Sequence, residues 1–374
     1  MKRIIILGST GSIGQQTLDV LRRFRDRAQV VGLAGGRNTT LLEKQIAEFG
    51  PEMACSAAEG GLAGASGVEV VSLVEMVSRQ GVDLVLVATS GKAGLEPTLA
   101  AIRSKKQVAL ANKEVLVMAG AIVMGEARRH GVEVFPVDSE HSAIWQCLRG
   151  EEGNGIRRLI LTASGGPFRS RSKEELARVT PEQALAHPTW QMGSKVTVDS
   201  ATLMNKGMEI IEAHWLFGVP YDEIEVIIHR QSIIHSMVEF VDGSIKAQMS
   251  LPDMRLPIQH ALSYPERWQS DYHRDLDFRQ VANLDFEEVD MQRFPCLRLA
   301  MEAGRKGGTY PAVASAADEV AVELFLDKRI GFADIPKLIE NTLSAHGGTD
   351  NPSLDHILAA DAWARDAARS AATH

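Results

Sequence analysis

Short apolar runs alternate with amphipathic segments along residues 1–138 of the chain. The runs predict strands at Arg3–Leu7, Val30–Ala34, Leu84–Ala88, Val108–Ala111 and Val132–Val137. Between several of them lie segments with the period of a helix, such as Gln16–Arg25 and Leu41–Phe49. Apolar strands separated by helices pair in parallel, with both faces of the sheet covered. The pattern therefore predicts a doubly wound α/β domain over residues 1–138.

The pattern changes after Asp138. Strands are predicted at Arg158–Ala163, Glu225–His229, Ser236–Val241 and Ile245–Leu251, with a hairpin turn at 241–244, and helices at Ser142–Leu148 and Ala201–Phe217. We interpret residues 139–268 as a central α+β domain, 269–291 as a linker, and 292–374 as a C-terminal helical bundle. Glycine pairs at 307–308 and 347–348 predict helix ends within that bundle.

Length and composition restrict the possible functions. A chain of 374 residues is too long for one core, which favours two or three domains. The net charge is −8 and the basic residues are scattered, so nucleic acid is not expected as a partner. The three cysteines, Cys55, Cys147 and Cys296, are far apart, which disfavours disulfides and a cysteine metal site. No apolar run approaches the roughly 18 residues of a membrane span, and none suits a signal peptide. We expect a cytoplasmic protein with no membrane partner.

A glycine-rich loop, Gly8-Ser9-Thr10-Gly11-Ser12-Ile13-Gly14, follows the first predicted strand and precedes a helix. Glycines allow close approach of the backbone, and a helix N-terminus offers free N–H groups to a pyrophosphate. The loop is the first βα turn of a βαβ unit, where Rossmann-like domains bind dinucleotides. Its G-x-x-G-x-x-G spacing is looser than the dinucleotide fingerprint, so an ordinary strand-to-helix turn is the alternative.

The end of the second predicted strand selects between dinucleotides. NAD sites place an Asp or Glu there to bind the ribose hydroxyls. This chain has Gly36, Arg37 and Asn38 in that region, and no acidic residue. Arg37 suits a 2′-phosphate, which predicts NADPH rather than NADH. The alternative is a solvated surface arginine.

A set of carboxylates predicts a cation site. Asp138 and Glu140 follow the last predicted strand of the first domain, at the end where α/β sheets bind ligands. In an extended chain, residues two apart point the same way, so both carboxylates would face one spot. Glu209 is predicted to share a helix face with Asn205 and Lys206.

Three carboxylates together suit Mg²⁺ or Mn²⁺, whereas zinc is disfavoured because no zinc-ligand spacing is present. The alternatives are a solvated acidic turn at 138–140 and a surface ion pair between Lys206 and Glu209. Spacing alone does not show that residues 138 and 209 meet.

A polar segment around His187-Pro188-Thr189-Trp190 predicts a lid at about residues 185–195, because an aromatic residue beside Gly and Pro suits a loop that closes over a ligand. A loop anchored by one buried Trp is the alternative. Side chains of the type that binds a phosphate monoester occur at Ser164, His187, Ser200, Asn205 and Lys206.

Together these motifs resemble the 1-deoxy-D-xylulose 5-phosphate reductoisomerase family. The matching segments lie in the family's order and spacing over essentially the whole chain, at residues 8–14, 110–114, 136–141, 164–168, 187–190, 198–207 and 252–255. The resemblance implies an NADPH-dependent oxidoreductase that also requires a divalent metal.

The resemblance also implies residue roles. The metal ligands would be Asp138, Glu140 and Glu209, which with Lys113 form the expected catalytic set. The expected substrate contacts are Lys113, Ser139, Glu140, Ser164, His187, Trp190, Ser200, Asn205, Lys206 and Glu209. The expected cofactor contacts are Thr10, Gly11, Ser12, Ile13, Gly36, Arg37, Asn38, Asn112, Glu114, Gly193 and Met254. The metal would be Mg²⁺ or Mn²⁺, with Co²⁺ as a further candidate, and the chain would form a homodimer.

The implied reaction has two stages and belongs to isoprenoid precursor synthesis. The carbon skeleton of 1-deoxy-D-xylulose 5-phosphate is cleaved and rejoined, and NADPH reduces the resulting aldehyde to give 2-C-methyl-D-erythritol 4-phosphate. Three residues depart from the family pattern: Val115, Ala186 and Arg230 stand where a small hydroxyl residue, a basic residue and a proline are usual. None of them removes a chemical group assigned above.

Two other functions remain as alternatives. One is an NADPH reductase of the aspartate-semialdehyde or homoserine dehydrogenase type, which needs no carboxylate trio, and the former would need a catalytic cysteine in a suitable motif. The other is a non-catalytic NADPH-binding sensor, which would explain Arg37 and the glycine loop alone. Neither explains three potential metal ligands together with a set of phosphate donors.

Overall fold

The computed structural model describes residues 1–58, 62, 67–151, 155–186, 190 and 192–372. The chain forms two compact units, each built from three stretches of sequence. The first unit comprises Met1–Val115, Val123–Ser142 and Asp253–Arg274, and the second comprises Leu116–Ile122, Ala143–Pro252 and Asp275–His374. The division into an NADPH-binding domain, a catalytic domain, a linker and a helical domain stays a prediction.

The strands and helices have the following bounds. The strands are β1 Lys2–Leu7, β2 Ala28–Gly35, β3 Met53–Ser56, β4 Glu69–Val70, β5 Leu84–Val87, β6 Gln107–Leu110, β7 Val134–Pro136, β8 Ile156–Ala163, β9 Ile224–Ile228, β10 Ile234–Phe240 and β11 Ile245–Met249. The helices are α1 Ser12–Arg23, α2 Thr39–Phe49, α3 Leu73–Ser78, α4 Leu95–Arg103, α5 Lys113–His130, α6 Ser139–Cys147, α7 Lys173–Leu176, α8 Pro181–Ala184, α9 Ser194–Thr202, α10 Met204–Phe217, α11 Arg255–Ser263, α12 Pro295–Lys306, α13 Tyr310–Leu326, α14 Ile335–Ala345 and α15 Leu354–Ala371.

The first unit is built on a seven-stranded sheet in the order β4-β3-β2-β1-β5-β6-β7, in which every neighbouring pair is parallel. Strand β5 is fully buried, and β1 is buried from Ile4 to Leu7, as expected for a sheet covered on both faces. The strand order reverses between β1 and β5, which makes the ends of these two strands the switch point of the sheet. The predicted doubly wound fold is confirmed. Strands β3 and β4 were not predicted, because both are short and β4 is exposed.

The segment 253–274 packs in this first unit. Helix α11 contacts α1 and β7. Phe24 and Phe135 contact the segment through Trp268 and Tyr264, with ring centroids 4.9 and 5.2 Å apart. The Lys2 Nζ donates to the Leu262 and Tyr264 carbonyl oxygens at 3.0 and 2.7 Å. Residues far apart in sequence therefore fix the position of this segment against the sheet.

The second unit contains a four-stranded sheet in the order β11-β10-β8-β9. Strand β10 is antiparallel to both β8 and β11, whereas β8 and β9 are parallel. The predicted hairpin between β10 and β11 is confirmed, and Asp242 shapes its turn by accepting from the backbone N–H of Ser244 at 2.9 Å. The mixture of strands and helices confirms the predicted α+β character.

Helices α12 to α15 form the helical part of the second unit. Helix α13 lies in the middle, contacts α12, α14 and α15, and is apolar on nearly every face. Helix α12 ends just before Gly307, and α14 ends two residues before Gly347, which confirms the helix ends predicted there.

The connection at 275–294 contains no helix and is attached to the second sheet. Ile228 and Glu287 form an antiparallel β-bridge. Arg230 pairs with Asp285 at 2.5 Å. This ion pair lowers the pKa of the Asp285 carboxyl. Arg230 therefore helps to attach the connection to the β9–β10 turn.

Among the described helices, none has the length and apolar character needed to cross a membrane.

Candidate active site

The glycine loop leaves the sheet at the switch point. Gly8 follows β1 with φ +87°, and an added Cβ would lie 2.4 Å from the carbonyl oxygen of Ala88, just beyond β5. A Cβ at Gly14 would lie 2.2 Å from the carbonyl oxygen of Gly8. Helix α1 can therefore start against the loop only because both positions lack a side chain.

The N-terminus of α1 has no side-chain cap among the described residues, since its N-cap is Gly11. Its first N–H groups, at Ser12 and Ile13, thus have no capping oxygen in place. Such groups bind anionic oxygens well, and the helix dipole adds positive potential. A Cβ on Gly35 would lie 3.1 Å from the Thr10 side chain, so the loops after β1 and β2 are neighbours.

The residues after β2 form the adjoining rim. Gly36, Arg37 and Asn38 are exposed. Asn38 caps α2, because its side-chain oxygen accepts from the backbone N–H of Leu41 at 3.1 Å. The exposed Arg37 guanidinium is thus held on a short turn between β2 and a capped helix.

Asn112 follows β6, and both the nitrogen and the oxygen of its side-chain amide make hydrogen bonds. Its Nδ2 donates to the carbonyl oxygens of Thr89 and Gly91, each at 2.8 Å, and its Oδ1 caps α5 at Val115. The side chain therefore ties the loop after β5 to the start of α5. The Val115 side chain is fully buried, and Glu114 is buried in the first turn of α5.

The first unit also holds Lys113 and Asp138 together. The Lys113 Nζ lies 2.9 Å from Asp138 Oδ2, and both side chains are largely buried. Asp138 Oδ1 accepts from the backbone N–H of Ser139 at 2.9 Å, and the Ser139 hydroxyl donates to Glu140. The buried His141 Nδ1 lies 3.9 Å from Asp138 Oδ2. The Lys113 ammonium suits an anionic oxygen of a ligand, whereas the carboxylates of Asp138 and Glu140 suit a cation.

The expectation that Asp138 and Glu140 lie in extended chain is wrong. Helix α6 begins at Ser139, so Glu140 is in its first turn. The two carboxylates still offer oxygens within 4.8 Å of each other, because the chain turns sharply from β7 into the helix. The solvated acidic turn is also excluded, since neither residue is exposed.

Glu209 is held inside the second unit by two donors on its own helix, α10. The Asn205 Nδ2 donates to Glu209 Oε1 at 2.5 Å, and the Lys206 Nζ pairs with Glu209 Oε2. Glu209 and Lys206 are 1 % and 4 % exposed, which excludes the surface ion pair. Burying a charge is costly unless it is paired. The predicted shared face of Asn205, Lys206 and Glu209 is confirmed.

The single helix predicted at 201–217 is instead two helices, α9 and α10. They meet at Leu203, which has φ +62°. This left-handed residue is strained for a leucine and redirects the chain between Ser200 and Asn205. Gly166 packs directly on this bend, since an added Cβ would lie 2.5 Å from the Ser200 carbonyl oxygen. The bend therefore brings Ser200 beside the 164–168 turn, where Ser164 Oγ accepts from the backbone N–H of Gly166.

Trp190 and Gly193 come from the predicted lid segment. The Trp190 ring lies 6.2 Å from that of His235, whose Nε2 is 2.8 Å from Ser250 Oγ. Gly193 is the N-cap of α9. His187 lies outside the described residues, as do Pro188, Thr189 and Gln191.

Met254, in the first unit, directly precedes α11 and lies beside an ion-pair network. Arg255 donates to the Asp253 carboxylate and to Asp19 Oδ2 on α1 at 3.2 Å. Burial alone would raise the pKa of Asp253, but the hydrogen bonds from Arg255 outweigh it and lower the pKa. The network fixes Met254 relative to the helix that follows the glycine loop.

Sequence reasoning missed several residues that shape these sites. The carbonyl oxygen of Thr89 accepts a hydrogen bond from Asn112, and Arg255, next to Met254, donates to Asp19 on α1. Neither carries a local signal, because their partners are distant in sequence. Asp318 could have been noticed, since it is an acidic residue within the apolar helix α13.

Comparison with known proteins identifies the family. The family model described as 1-deoxy-D-xylulose 5-phosphate reductoisomerase matches residues 4–120. The models for two C-terminal domains of the same enzyme match residues 134–217 and 249–367. The reductoisomerase of Heliobacterium modesticaldum is 55% identical, with 98% of this chain and 96% of the relative covered. That of Chlorobium chlorochromatii is 53% identical, with 99% of each covered.

This chain belongs to the 1-deoxy-D-xylulose 5-phosphate reductoisomerase family.

Solved structures agree with this family assignment. The reductoisomerase from Zymomonas mobilis in complex with NADPH has a TM-score of 0.91, 46% identity, and 99% coverage of each chain. A reductoisomerase in complex with NADPH, fosmidomycin and magnesium has a TM-score of 0.93 and 38% identity, with 100% of this chain and 98% of that chain covered. The family resemblance and the fold class inferred from the sequence are confirmed.

The close packing at Gly166 leads to a prediction about stability. Replacing Gly166 with Ala should cost about 2–4 kcal/mol, because it adds a Cβ to a left-handed residue and forces it into the Ser200 carbonyl. Gly125→Ala is the matched control: Gly125 lies in α5 with open space around it, so alanine should stabilise by about 0.5–1 kcal/mol. Thermal unfolding of both variants measures the difference. Equal melting temperatures would contradict the packing described for the 164–168 turn.

Proposed function

We propose that this chain converts 1-deoxy-D-xylulose 5-phosphate to 2-C-methyl-D-erythritol 4-phosphate, with NADPH as the reductant and a divalent cation, Mg²⁺, as a requirement. The observation that carries the proposal is the Asp138 and Glu140 pair, which follows strand β7 of the same sheet whose strand β1 leads into the glycine loop. A simple dehydrogenase or a nucleotide sensor has no use for a carboxylate pair in this place. The family assignment supports the same reaction.

The first unit has the features that a dinucleotide requires. The uncapped start of α1 at the switch point suits the pyrophosphate, with Thr10, Gly11, Ser12 and Ile13 as the contacts. Arg37 would pair with the 2′-phosphate beside Gly36 and Asn38. We assign Asn112 a role in shaping the pocket, because its side chain is engaged with the protein. Glu114, Gly193 and Met254 complete the proposed cofactor contacts.

The proposed metal ligands are Asp138, Glu140 and Glu209. Carboxylate oxygens suit a hard cation such as Mg²⁺. Lys113 and Lys206 neutralise Asp138 and Glu209 in the structure, so each carboxylate is already held in a fixed direction. When bound, the cation would supply Lewis-acid stabilisation of oxygen charge that develops on the substrate.

The remaining groups of the site act on the substrate. Ser164, Ser200, Asn205 and Lys206 would bind the phosphate, with His187 as a further contact and Trp190 covering the substrate. Phosphate binding holds the molecule in place while its carbon skeleton is rearranged. Lys113 and Ser139 would orient the substrate oxygens beside Asp138 and Glu140.

Other parts of the proposal rest on the family resemblance. We include Mn²⁺ and Co²⁺ as alternative metals, a homodimeric assembly and a cytoplasmic location. The sugar phosphate is the proposed partner, and neither nucleic acid nor a membrane is included.

The activity is tested directly with the purified chain. NADPH oxidation should require both 1-deoxy-D-xylulose 5-phosphate and Mg²⁺, and it should stop when EDTA is added and resume when Mg²⁺ is restored. Loss of absorbance at the NADPH band measures the rate. Turnover that persists in EDTA would exclude the metal role, and no turnover with all components present would favour a nucleotide sensor.

Glu209→Gln tests the buried carboxylate on α10. The amide keeps the shape but loses the charge that a cation needs, so turnover should fall by about a hundredfold or more. NADPH binding, followed by fluorescence titration, should remain unchanged because the proposed nucleotide site does not include Glu209. Glu223→Gln, a change in an exposed turn of the same unit, is the control and should keep normal turnover. Normal turnover in Glu209→Gln would remove it from the site.

Arg37→Asp tests the choice of nucleotide. An acidic residue there would repel the 2′-phosphate and favour the ribose hydroxyls of NADH. The ratio of kcat/KM for NADPH to that for NADH should fall by about tenfold or more. The control Arg25→Asp changes an arginine near the end of α1, away from the turn after β2, and should leave the ratio unchanged. An unchanged ratio in Arg37→Asp would contradict the assigned role.

A further inference from the structure

A buried cluster in the second unit links helix α9 to the helical bundle. The Lys195 Nζ lies 2.6 Å from Asp199 Oδ2 and 2.9 Å from Asp318 Oδ2. Asp199 is one helical turn from Lys195 on α9, whereas Asp318 belongs to α13. The two carboxylates are 1 % and 0 % exposed, and the lysine is 25 % exposed. One ammonium therefore joins two buried carboxylates from two packed helices.

The position of Lys195 is unfavourable for a lysine taken alone. It occupies the first turn of α9, where the helix dipole opposes a positive charge. Asp318 is also unfavourable alone, because a buried carboxylate in an apolar helix requires a partner. Each charge compensates the other, so the ion pair of Lys195 with Asp318 is a specific contact that holds α9 against α13.

Other residues around the cluster support this arrangement. Burial, and then the negative charges of Asp318 and Asp199, raise the pKa of the Cys296 thiol on α12. The Thr202 hydroxyl, at the end of α9, bonds to the Asp199 carbonyl oxygen at 3.2 Å. Helix α9 is thus packed against both α12 and α13, with its charged side chains facing inward.

The helix that is tied in this way carries a proposed phosphate donor. Ser200 follows Asp199 directly, and the chain then bends at Leu203 into α10, which carries Asn205 and Lys206. A shift of α9 would displace Ser200 relative to the donors on α10. Misplacement of a binding group by about 1 Å can reduce catalysis about a hundredfold.

We infer that Asp318 is a positioning residue for the substrate phosphate: through Lys195 it holds helix α9, and hence Ser200, in the binding position. This inference rests on the proposed function, because it assumes that Ser200 binds the phosphate. Asp318 is proposed to act through Lys195 and not by contact with the substrate.

Asp318→Asn is the decisive variant. It removes the charge of Asp318 but leaves the ion pair of Lys195 with Asp199 within α9. The ion pair between α9 and α13 is therefore lost, and Lys195 still has a carboxylate partner. The KM for 1-deoxy-D-xylulose 5-phosphate should rise about tenfold, whereas the KM for NADPH should stay within about twofold. Hydrogen exchange of the amides in 194–202 should become faster. Asp318→Ala, which suits the Ala-rich helix, should show the same pattern.

The chain offers a matched control in the same bundle. Arg365 on α15 likewise joins two carboxylates, lying 2.9 Å from the buried Asp361 and 2.7 Å from Glu319. Asp361→Asn is the same chemical change at an equally buried site, but Asp361 pairs with Arg365 on its own helix α15 and not with Lys195. It should leave both KM values and the exchange of 194–202 unchanged.

The outcomes separate the possible explanations. A substrate KM that rises equally in Asp318→Asn and Asp361→Asn would indicate general destabilisation and overturn the inference. Normal exchange at 194–202, or a normal substrate KM, in both Asp318 variants would also overturn it. Ser200→Ala tests the underlying assumption: if its substrate KM is normal, the phosphate assignment fails, whatever the Asp318 variants show.

Discussion

Parallel pairing of seven strands is the constraint on which the first unit depends. All strands of a parallel sheet end at the same edge, so the segments that follow them are collected there whatever their separation in sequence. The glycine loop follows β1, Arg37 follows β2, Asn112 and Lys113 follow β6, and Asp138 follows β7. The proposed nucleotide-binding groups and the carboxylate of Asp138 thus share one edge of one sheet. The reversal of strand order between β1 and β5 provides the opening for the loop.

The second unit depends on a different constraint, the pairing of buried carboxylates with lysines. Glu209 is almost inaccessible to solvent, and the hydrogen bond from Asn205 and the ion pair with Lys206 offset the cost of burying its carboxylate. The same principle applies to Lys195 between its two carboxylates. Fixed charges cost little reorganisation when a substrate or cation binds, which suits a site that must stabilise changing charge on oxygen.

The sequence allowed prediction of the parts that depend on local pattern. The parallel strands, the hairpin at 241–244 and the helix ends before the glycine pairs all follow from periodicity and turn residues. The shared face of Asn205, Lys206 and Glu209 follows from helical spacing. The conformation around Glu140 was predicted wrongly, although Asp138 directly before α6 is a residue type that favours the start of a helix. The left-handed Leu203 also contradicts its local preference, and packing of the 164–168 turn against the bend stabilises it.

Features that join distant parts of the chain could not be predicted from sequence. Three contacts are of this kind: the hydrogen bond from Asn112 to Thr89, the hydrogen bond from Arg255 to Asp19, and the ion pair of Lys195 with Asp318. In each, the number of residues between the partners follows no helix or strand period. Such contacts depend on which elements pack together. An acidic residue within a largely apolar helix, such as Asp318 in α13, is the one local feature here that points to a distant partner.

The proposed function requires a divalent cation at the carboxylates of Asp138 and Glu140. Electron paramagnetic resonance of Mn²⁺, titrated into the chain without nucleotide or substrate, tests it most directly. We expect one bound Mn²⁺ per chain, with affinity lost in Asp138→Asn and in Glu140→Gln and retained in Asp361→Asn. Equal Mn²⁺ binding by the wild type and both carboxylate variants would show that these carboxylates do not hold the cation.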